Sequence, residues 1–574
     1  MDKRIALALG LTVIVVVLTP ILFPTPPRLP IAPRALDSAQ AATPSTGVPA
    51  GATASVTPIV PVTSPVASPA GTTSPALTAT APTAVLAETI TVTTPKAIYR
   101  FSTLGAMAIG VRLRQYRTLS PGHSKDANVE LTRPGVPLMA VTLKDDKPLD
   151  QVVFSVDSVI VGGKMSVLSF RNTLSSGANV VVAYNFPADT DSYMVNVVGE
   201  VHARSSPQTL LITLPAGLRS EEADTLDDQR HLAYVVKPAK DDPQSIDFGK
   251  VETGQILSRP GPFTWVASKN KYFLVALLPM DTTSTPFASI AVRGGTRGQN
   301  KVASAADATL AYPVPDNGKF AFSLYTGPLE WERLQKIGHG IVNANPYGGW
   351  LRLIVQPVSG LVMRTLLWLH RVLKLNYGWV LVAFAVAIRV LLWPLNQRAM
   401  RSNLKMQRIQ PELQEIQKRY KTQPEKQQAE MMKLYKEHNM SPFSMFGGCL
   451  PLLLPWPVFI ALFFVFQNTI EFRGVSFIWM HDISLKDPFY VLPVLLAVSV
   501  FLLSWIGMRG APDNPQAKMM AYISPLMMFV FFFNIAGGLN LYYLVQNMVS
   551  LPQQWLIARE RAKVTPRVTT PPKT

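Results

Sequence analysis

Apolar residues follow three different rhythms along this chain. The first is a nearly unbroken run from Ile5 to Phe23, interrupted only by Pro20. Its 19 residues approach the roughly 20 that span a bilayer as a helix. Residues 1–23 are therefore expected to form an N-terminal transmembrane anchor. A cleaved signal peptide is the rival reading, but the small-x-small site at Ala39-Gln40-Ala41 lies far past the apolar core, behind Pro24, Pro26 and Pro27. From 24 to 95 there is no period. Pro, Ala, Thr and Ser dominate, and such a segment cannot bury enough apolar surface to offset its ordering entropy, so it reads as a linker. Between 96 and 338 the period becomes two, as in Val152-Val153-Phe154-Ser155-Val156, Ala178 to Tyr184 and Lys271 to Ala276, with Gly, Pro, Asn and Asp turns between the runs. That pattern predicts an all-β antiparallel sandwich.

After position 338 the period is helical. Within 339–376, Val362, Leu366, Leu369 and Leu373 share one stripe, while Arg364, Arg371 and Lys374 share another. This fits an interfacial amphipathic helix with its apolar side in lipid and its basic side among headgroups, or a helix packed on the β-region. A core of five spans is expected over 377–557: Tyr377 to Leu395, Phe446 to Phe466, Tyr490 to Met508, Met519 to Phe533, and Leu539 to Ile557, the last two joined by a reversal at Gly537-Gly538. A polar insert, 396–440, separates the first two. Its Met406, Ile409, Leu413, Ile416 and Tyr420 recur at alternating three- and four-residue steps, which predicts one arm of an antiparallel helical hairpin. Residues 558–574 form a basic tail.

Charge then orients the spans. The 574 residues carry 54 Lys+Arg against 36 Asp+Glu, a formal +18, although charged residues make up only 16% of the chain. A soluble nucleic-acid binder would be basic through abundant Lys and Arg, not through scarcity of charge. The one cysteine, Cys449, excludes a disulfide scaffold. Six spans with a cytoplasmic start place the hairpin (ten Lys/Arg, five Glu), the 509–518 loop and the tail on the cytoplasmic side. Residues 88–338, which take in the β-region, carry 26 Lys+Arg and 24 Asp+Glu and fall outside. This distribution obeys the positive-inside rule.

The sharpest single residue is Arg389, an arginine inside an apolar span. Such a placement costs about 3 to 17 kcal/mol depending on the reference, so the side chain must snorkel, pair or face water. No Asp or Glu lies within the other spans to neutralise it. A hydrated, positively charged groove open to the cytoplasm would accommodate it. Gln467, Asn540, Tyr542, Tyr543, Gln546 and Asn547 could line that groove, and Gln546 and Asn547 serve equally well as interhelical hydrogen-bond glue. No phosphate loop, zinc-protease or nucleophile-elbow motif occurs, and His123, His202 and His231 lack metal-ligand spacing, so neither catalysis, cofactor nor metal is expected. A solute transporter with an anion-binding arginine and an envelope anchor that binds glycan remain alternatives.

The ordered motifs carry a resemblance. They are Gln356-Pro357; Ile388-Arg389-Val390-Leu391-Leu392-Trp393-Pro394-Leu395; Asn439-Met440-Ser441-Pro442 with Gly447-Gly448-Cys449-Leu450-Pro451; Trp479-Met480-His481-Asp482-Ile483-Ser484 with Asp487-Pro488-Phe489-Tyr490; and Gly538-Leu539-Asn540-Leu541-Tyr542-Tyr543. In this order and spacing they resemble the YidC family of membrane-protein insertases. The resemblance implies a periplasmic, mutarotase-like super-sandwich after an N-terminal anchor, and five core transmembrane helices around a groove that receives hydrophobic nascent segments and releases them into the lipid bilayer. It implies a multi-pass inner-membrane protein, expected as a monomer, with both termini cytoplasmic. Its partners would be nascent membrane proteins, the Sec translocon and the ribosome. It makes Arg389 the groove arginine, Tyr543 a client contact, the hairpin a client-capture element, and Arg559, Arg561, Lys563 and Arg567 a ribosome or lipid contact. Pro455 stands where the family often has a groove glutamine.

Overall fold

The computed structural model describes residues 87–124, 126–144, 149–161, 164–202, 208–281, 286–297, 302–345, 352–438, 456–508 and 515–564. The expected anchor, the linker up to 86, the entry of the third span with Cys449 and Pro455, and the tail beyond 564 with Arg567 lie outside the described residues. So do the side chains of Met406, Arg561 and Lys563.

The β-region has seventeen described strands, numbered β1 to β17 in chain order. The strands β1 (Thr89–Thr93), β2 (Ala97–Ser102), β3 (Met107–Arg117) and β4 (Asn128–Glu130) form one sheet, and the other thirteen form a second. The first strand begins before the expected border at 96. Thr-Ile-Thr-Val-Thr is already a β-branched alternation, and Val92 is buried in the core. The two sheets share one continuous hydrophobic core. Buried tyrosine hydroxyls are satisfied across it: Tyr99 with Thr326 Oγ1 at 3.0 Å, and Tyr184 with the Ala106 carbonyl at 2.9 Å. Strand β14 (Phe273–Leu278) departs from the alternation expected there, because every one of its residues is buried. It is paired with β13 (Ile256–Lys269) and β17 (Lys319–Pro328) in the second sheet, and the Tyr116 ring of β3 lies edge-on to Phe273 at 5.6 Å. A strand covered on both faces has no reason to alternate.

Seven helices follow the short helix Trp331–Ile337 among the described residues: α1 (Arg352–Leu373), α2 (Tyr377–Arg419), α3 (Pro424–Glu437), α4 (Trp456–Asn468), α5 (Val491–Met508), α6 (Pro515–Phe532) and α7 (Gly537–Val564). Among the described residues three stretches are long and apolar enough to cross a membrane, Arg352–Leu373, Tyr377–Gln397 and Val491–Met508. Pro457–Asn468 and Lys518–Phe532 are shorter apolar helices. The expected border at 396 is no structural break. The 43 residues of α2 run as one helix, about 65 Å at 1.5 Å per residue, so the span continues directly into the first hairpin arm. Asn376 starts it, its side chain accepting from the Gly378 amide at 2.9 Å.

Helix α1 departs from the expected orientation. Val362 and Leu366, with Met363 and Leu367, are buried in the helical core against α4, not turned to lipid. Of the expected stripe only Leu373 is exposed, and it joins Leu353, Ile354, Leu361, Trp368 and Val372 as the exposed apolar residues of α1. The helix therefore has two apolar sides, one for packing and one left open. Its basic residues also find protein partners. Arg371 lies 2.7 Å from Glu332, and the Arg364 guanidinium sits 5.5 Å from the Trp331 ring centroid.

The loop between α4 and α5 joins the two halves of the molecule. Arg473 Nε donates to both oxygens of Glu222, at 2.8 and 2.9 Å, and its guanidinium lies 5.3 Å from the Phe273 ring. Tyr272 donates to Ser484 at 3.1 Å, the Trp331 amide donates to Glu471 at 3.2 Å, and Ile470 enters the β core. Burial pushes the Glu222 carboxyl upward against the pull of Arg473. Burial also pushes Glu471 up to about 7, against the backbone amides that bond its carboxylate, and Glu330 and Glu332 add to the rise.

Candidate functional site

Helix α2 carries Arg389, and α7 runs against it. Three contacts on successive turns of α2 make a polar seam between the two. Gln546 Nε2 donates to the Ala385 carbonyl at 2.9 Å, Arg389 Nη2 donates to Gln553 Oε1 at 3.1 Å, and Gln553 Nε2 reaches the Trp393 carbonyl at 3.4 Å. Arg389 is 9% exposed, so it does not snorkel out of the bundle. Its Nε is buried without a protein partner, and so is the amide nitrogen of Asn396. Among the described residues no carboxylate pairs with Arg389. A buried guanidinium held by one neutral amide keeps its full charge, and its remaining donors are available to an acceptor or to water.

Gln553 was not anticipated. A sequence signal existed, because it stands seven residues after Gln546 and so returns to the same helix face. The expected lining residues separate into different places. Gln546 also donates to the Tyr542 hydroxyl at 3.2 Å, and Asn547 donates to Ser499 of α5 at 2.9 Å. Both amides tie helices together, which was the second of their two readings. Asn540 is fully buried, and its side chain donates to the Phe532 carbonyl at 3.2 Å, closing the end of α6. It caps a helix and does not line a groove with Arg389. Tyr542 is buried near Phe384, with ring centroids 6.0 Å apart. Tyr543, only partly buried, packs among Phe459 and Phe532. Gln467, half-buried near the end of α4, has no hydrogen bond to the seam among the described residues.

The other motifs meet at the opposite end. Asp487, buried, accepts from the amides of Phe489 and Leu492 and from Trp479 Nε1, fixing the start of α5. The Gly537 amide donates to the Leu485 carbonyl at 2.7 Å and the Gly538 amide to the Ile483 carbonyl at 2.8 Å. A Cβ on Gly538 would run into the Phe466 ring, and one on Gly537 into Met480. The chain reverses just ahead of these glycines, which begin α7 and let the loop lie directly on the turn.

The hairpin closes on itself. Ile409 and Leu413 are buried with Leu434 and Tyr435, with Ile416 and Met431 packed alongside. Tyr420 follows the end of α2, its amide bonded to the Ile416 carbonyl. The apolar seam thus holds α2 to α3, as its alternating three- and four-residue steps predict for one arm of an antiparallel hairpin. In the tail, Arg559 is exposed and lies 3.6 Å from the Trp555 ring centroid.

Comparison with known proteins agrees over both halves. The family model described as 60Kd inner membrane protein matches residues 368–564, and that of the YidC periplasmic domain matches residues 89–361. A protein named membrane protein insertase YidC from Chlorobium phaeovibrioides is 31% identical over 425 residues, 70% of this chain and 71% of its own length. One of the same name from Cupriavidus necator is 40% identical over 241 residues, 42% of this chain and 41% of its own length. A solved structure, described as an active YidC insertase crystal structure with the first transmembrane domain resolved, is 19% identical, covers 81% of this chain and 92% of that chain, and has a TM-score of 0.33.

Proposed function

The chain belongs to the YidC family of membrane protein insertases, and from that premise we propose that it receives hydrophobic nascent segments at the α2–α7 seam and releases them into the lipid bilayer. The observation that carries the proposal is Arg389: a charge buried in an apolar helix, bonded to an amide and left without a carboxylate. An arriving apolar segment gains about 0.3–0.6 kcal/mol per central Leu, Ile, Phe or Val on entering lipid. Its obstacle is the polar flank that must cross. A fixed positive charge part-way along the path lowers the cost for an acidic flank. The membrane potential adds about 2.3 kcal/mol per charge per 100 mV.

On this reading the β-region is the periplasmic sandwich, with the mutarotase-like form that the resemblance implies. The N-terminal anchor and the five core helices span the inner membrane, and both termini face the cytoplasm. The hairpin as a whole guides clients, and Tyr543 meets them. The basic tail touches the ribosome or anionic lipid, and the Sec translocon joins for larger clients. The decisive experiment is insertion of a small client with an acidic translocated tail by Arg389→Ala. Insertion should fall, and most for the most acidic tails. Undiminished insertion across a client panel would reject the role of this charge.

A further inference from the structure

A second concentration of arginine lies in the β-region, remote from the α2–α7 seam. A cleft of about 650 Å³ opens beside strands β3 and β4, a volume typical of small-molecule sites. Four guanidinium side chains line it, Arg100, Arg112, Arg133 and Arg219, against two carboxylates, Glu130 and Glu221. The lining residues therefore carry a net +2. Met107, Ile109 and Val136 add an apolar wall.

The cations are held in place by construction. Arg100 Nη2 and Arg112 Nε bond the two oxygens of Glu130 at 2.9 and 3.2 Å, and Thr132 donates to the same carboxylate at 2.7 Å. Glu130 thus orients both guanidiniums but consumes one donor of each. Their side chains remain 40% and 52% exposed, with their other N–H groups available. Gly110 supplies the floor. A Cβ there would come within 2.5–2.8 Å of Nη2, Nε and Cζ of Arg100, so the guanidinium lies flat on the strand only because residue 110 is glycine. Also in the lining, Arg219 Nε pairs with Glu221 at 2.9 Å, and its Nη2 lies 2.8 Å from Nε2 of His123.

We propose that this cleft binds a small ligand bearing a phosphate monoester. A phosphate monoester carries about −1.5 to −2 at neutral pH, which matches the surplus charge. Its three terminal oxygens suit two guanidinium forks converging from one side. The apolar wall takes the carbon skeleton. The cleft also borders the membrane half, because Glu221, on its wall, accepts from Arg473 Nη2 at 3.4 Å through its carbonyl. The phosphate therefore comes either from a soluble ester or from a lipid headgroup.

The test uses the full chain in nanodiscs. Inorganic phosphate and glycerol 3-phosphate are titrated by calorimetry in zwitterionic discs, and thermal stability is compared in discs with and without phosphatidic acid. Saturable binding of glycerol 3-phosphate identifies a soluble source, while stabilisation by phosphatidic acid alone identifies a headgroup. Arg112→Gln removes one exposed fork and should weaken binding roughly ten- to a hundredfold. Gly110→Ala should do the same by lifting Arg100, and the Arg112→Gln result stands on its own if that variant fails to accumulate. No binding of any phosphate probe, equal binding of succinate, or wild-type affinity in Arg112→Gln would overturn the assignment.

Discussion

The buried pair between Glu222 and Arg473 joins the β-region to the loop over α5, and it makes a sharp energetic prediction. The two side chains are 6% and 5% exposed, in two-oxygen contact at 2.8 and 2.9 Å. Taking charges out of water is costly, so the pair as a whole adds little to stability. Removing one partner is another matter, because it strands the other charge. Arg473→Gln and Glu222→Gln should each cost about 3–5 kcal/mol of local stability. The two losses should not be equal. Burial already drives Glu222 toward its neutral form, so it can take a proton when Arg473 is gone, whereas Arg473 cannot lose its proton when Glu222 is gone. Glu222→Gln is therefore the more damaging single change. The double variant places two neutral amides face to face and should recover a substantial part of the loss.

The assay is native-state hydrogen exchange at amides bonded within the joint, such as Phe477 to the Met480 carbonyl and Gly537 to the Leu485 carbonyl. A local loss of about 3 kcal/mol speeds exchange there by roughly a hundredfold. Protection in the hairpin, far along α2, should not change. Single variants that exchange like the parent, or a double variant whose loss is the plain sum of the singles, would refute the reasoning.

Three further outcomes follow from the same geometry. Gln553→Ala should lower insertion of acidic-tailed clients less than Arg389→Ala does, and Gln553→Glu should lower it as much, because a carboxylate at 3.1 Å would cancel the charge; a client-panel insertion assay reads both. Gly538→Ala forces a methyl into the Phe466 ring and should destabilise the bundle by about 1–3 kcal/mol, measurable as earlier thermal unfolding in detergent. Glu471, free at 4.5 and pushed up to about 7 in the fold, favours the neutral acid there, so its contribution is full below 4.5 and is lost as pH rises through 7; Glu471→Gln should flatten that dependence in a pH series of melting temperatures.

What the sequence exposed and what it hid follow from the range of the interactions. The β-region, the helical region and Arg389 were visible because periodicity and an isolated charge are local properties. The border at 396 was invisible because a change from apolar to polar composition does not break a helix; α2 simply leaves one environment and enters another. The orientation of α1 was misread for the opposite reason. Its apolar residues surround more than one face, and only the partner, α4, decides which stripe is buried. Gln546 and Asn547 had two chemically equal uses, and the acceptors that decide between them lie on other helices. The Glu222–Arg473 contact joins residues 251 positions apart, beyond any pattern along the chain.

The two ends of α2 explain why one arginine suffices on the proposed path. From Tyr377 to Arg389 the helix advances about 18 Å at 1.5 Å per residue. Over that outer stretch its core-facing residues are Val380, Leu381, Phe384 and Ala385, and its outer end is packed under the Phe477 loop, where Gly378 leaves room for the ring. From Arg389 onward the buried groups turn polar, through the Trp393 carbonyl to Asn396. On the proposed path the low-dielectric part of a client's route would be reduced from a full hydrocarbon thickness of about 30 Å to roughly the outer 18 Å. A carboxylate partner in place of Gln553 would stabilise Arg389 better, yet it would erase the field that an acidic flank is drawn to. An amide partner gives up some stability and keeps the charge, and that trade is what a passage for polar flanks requires.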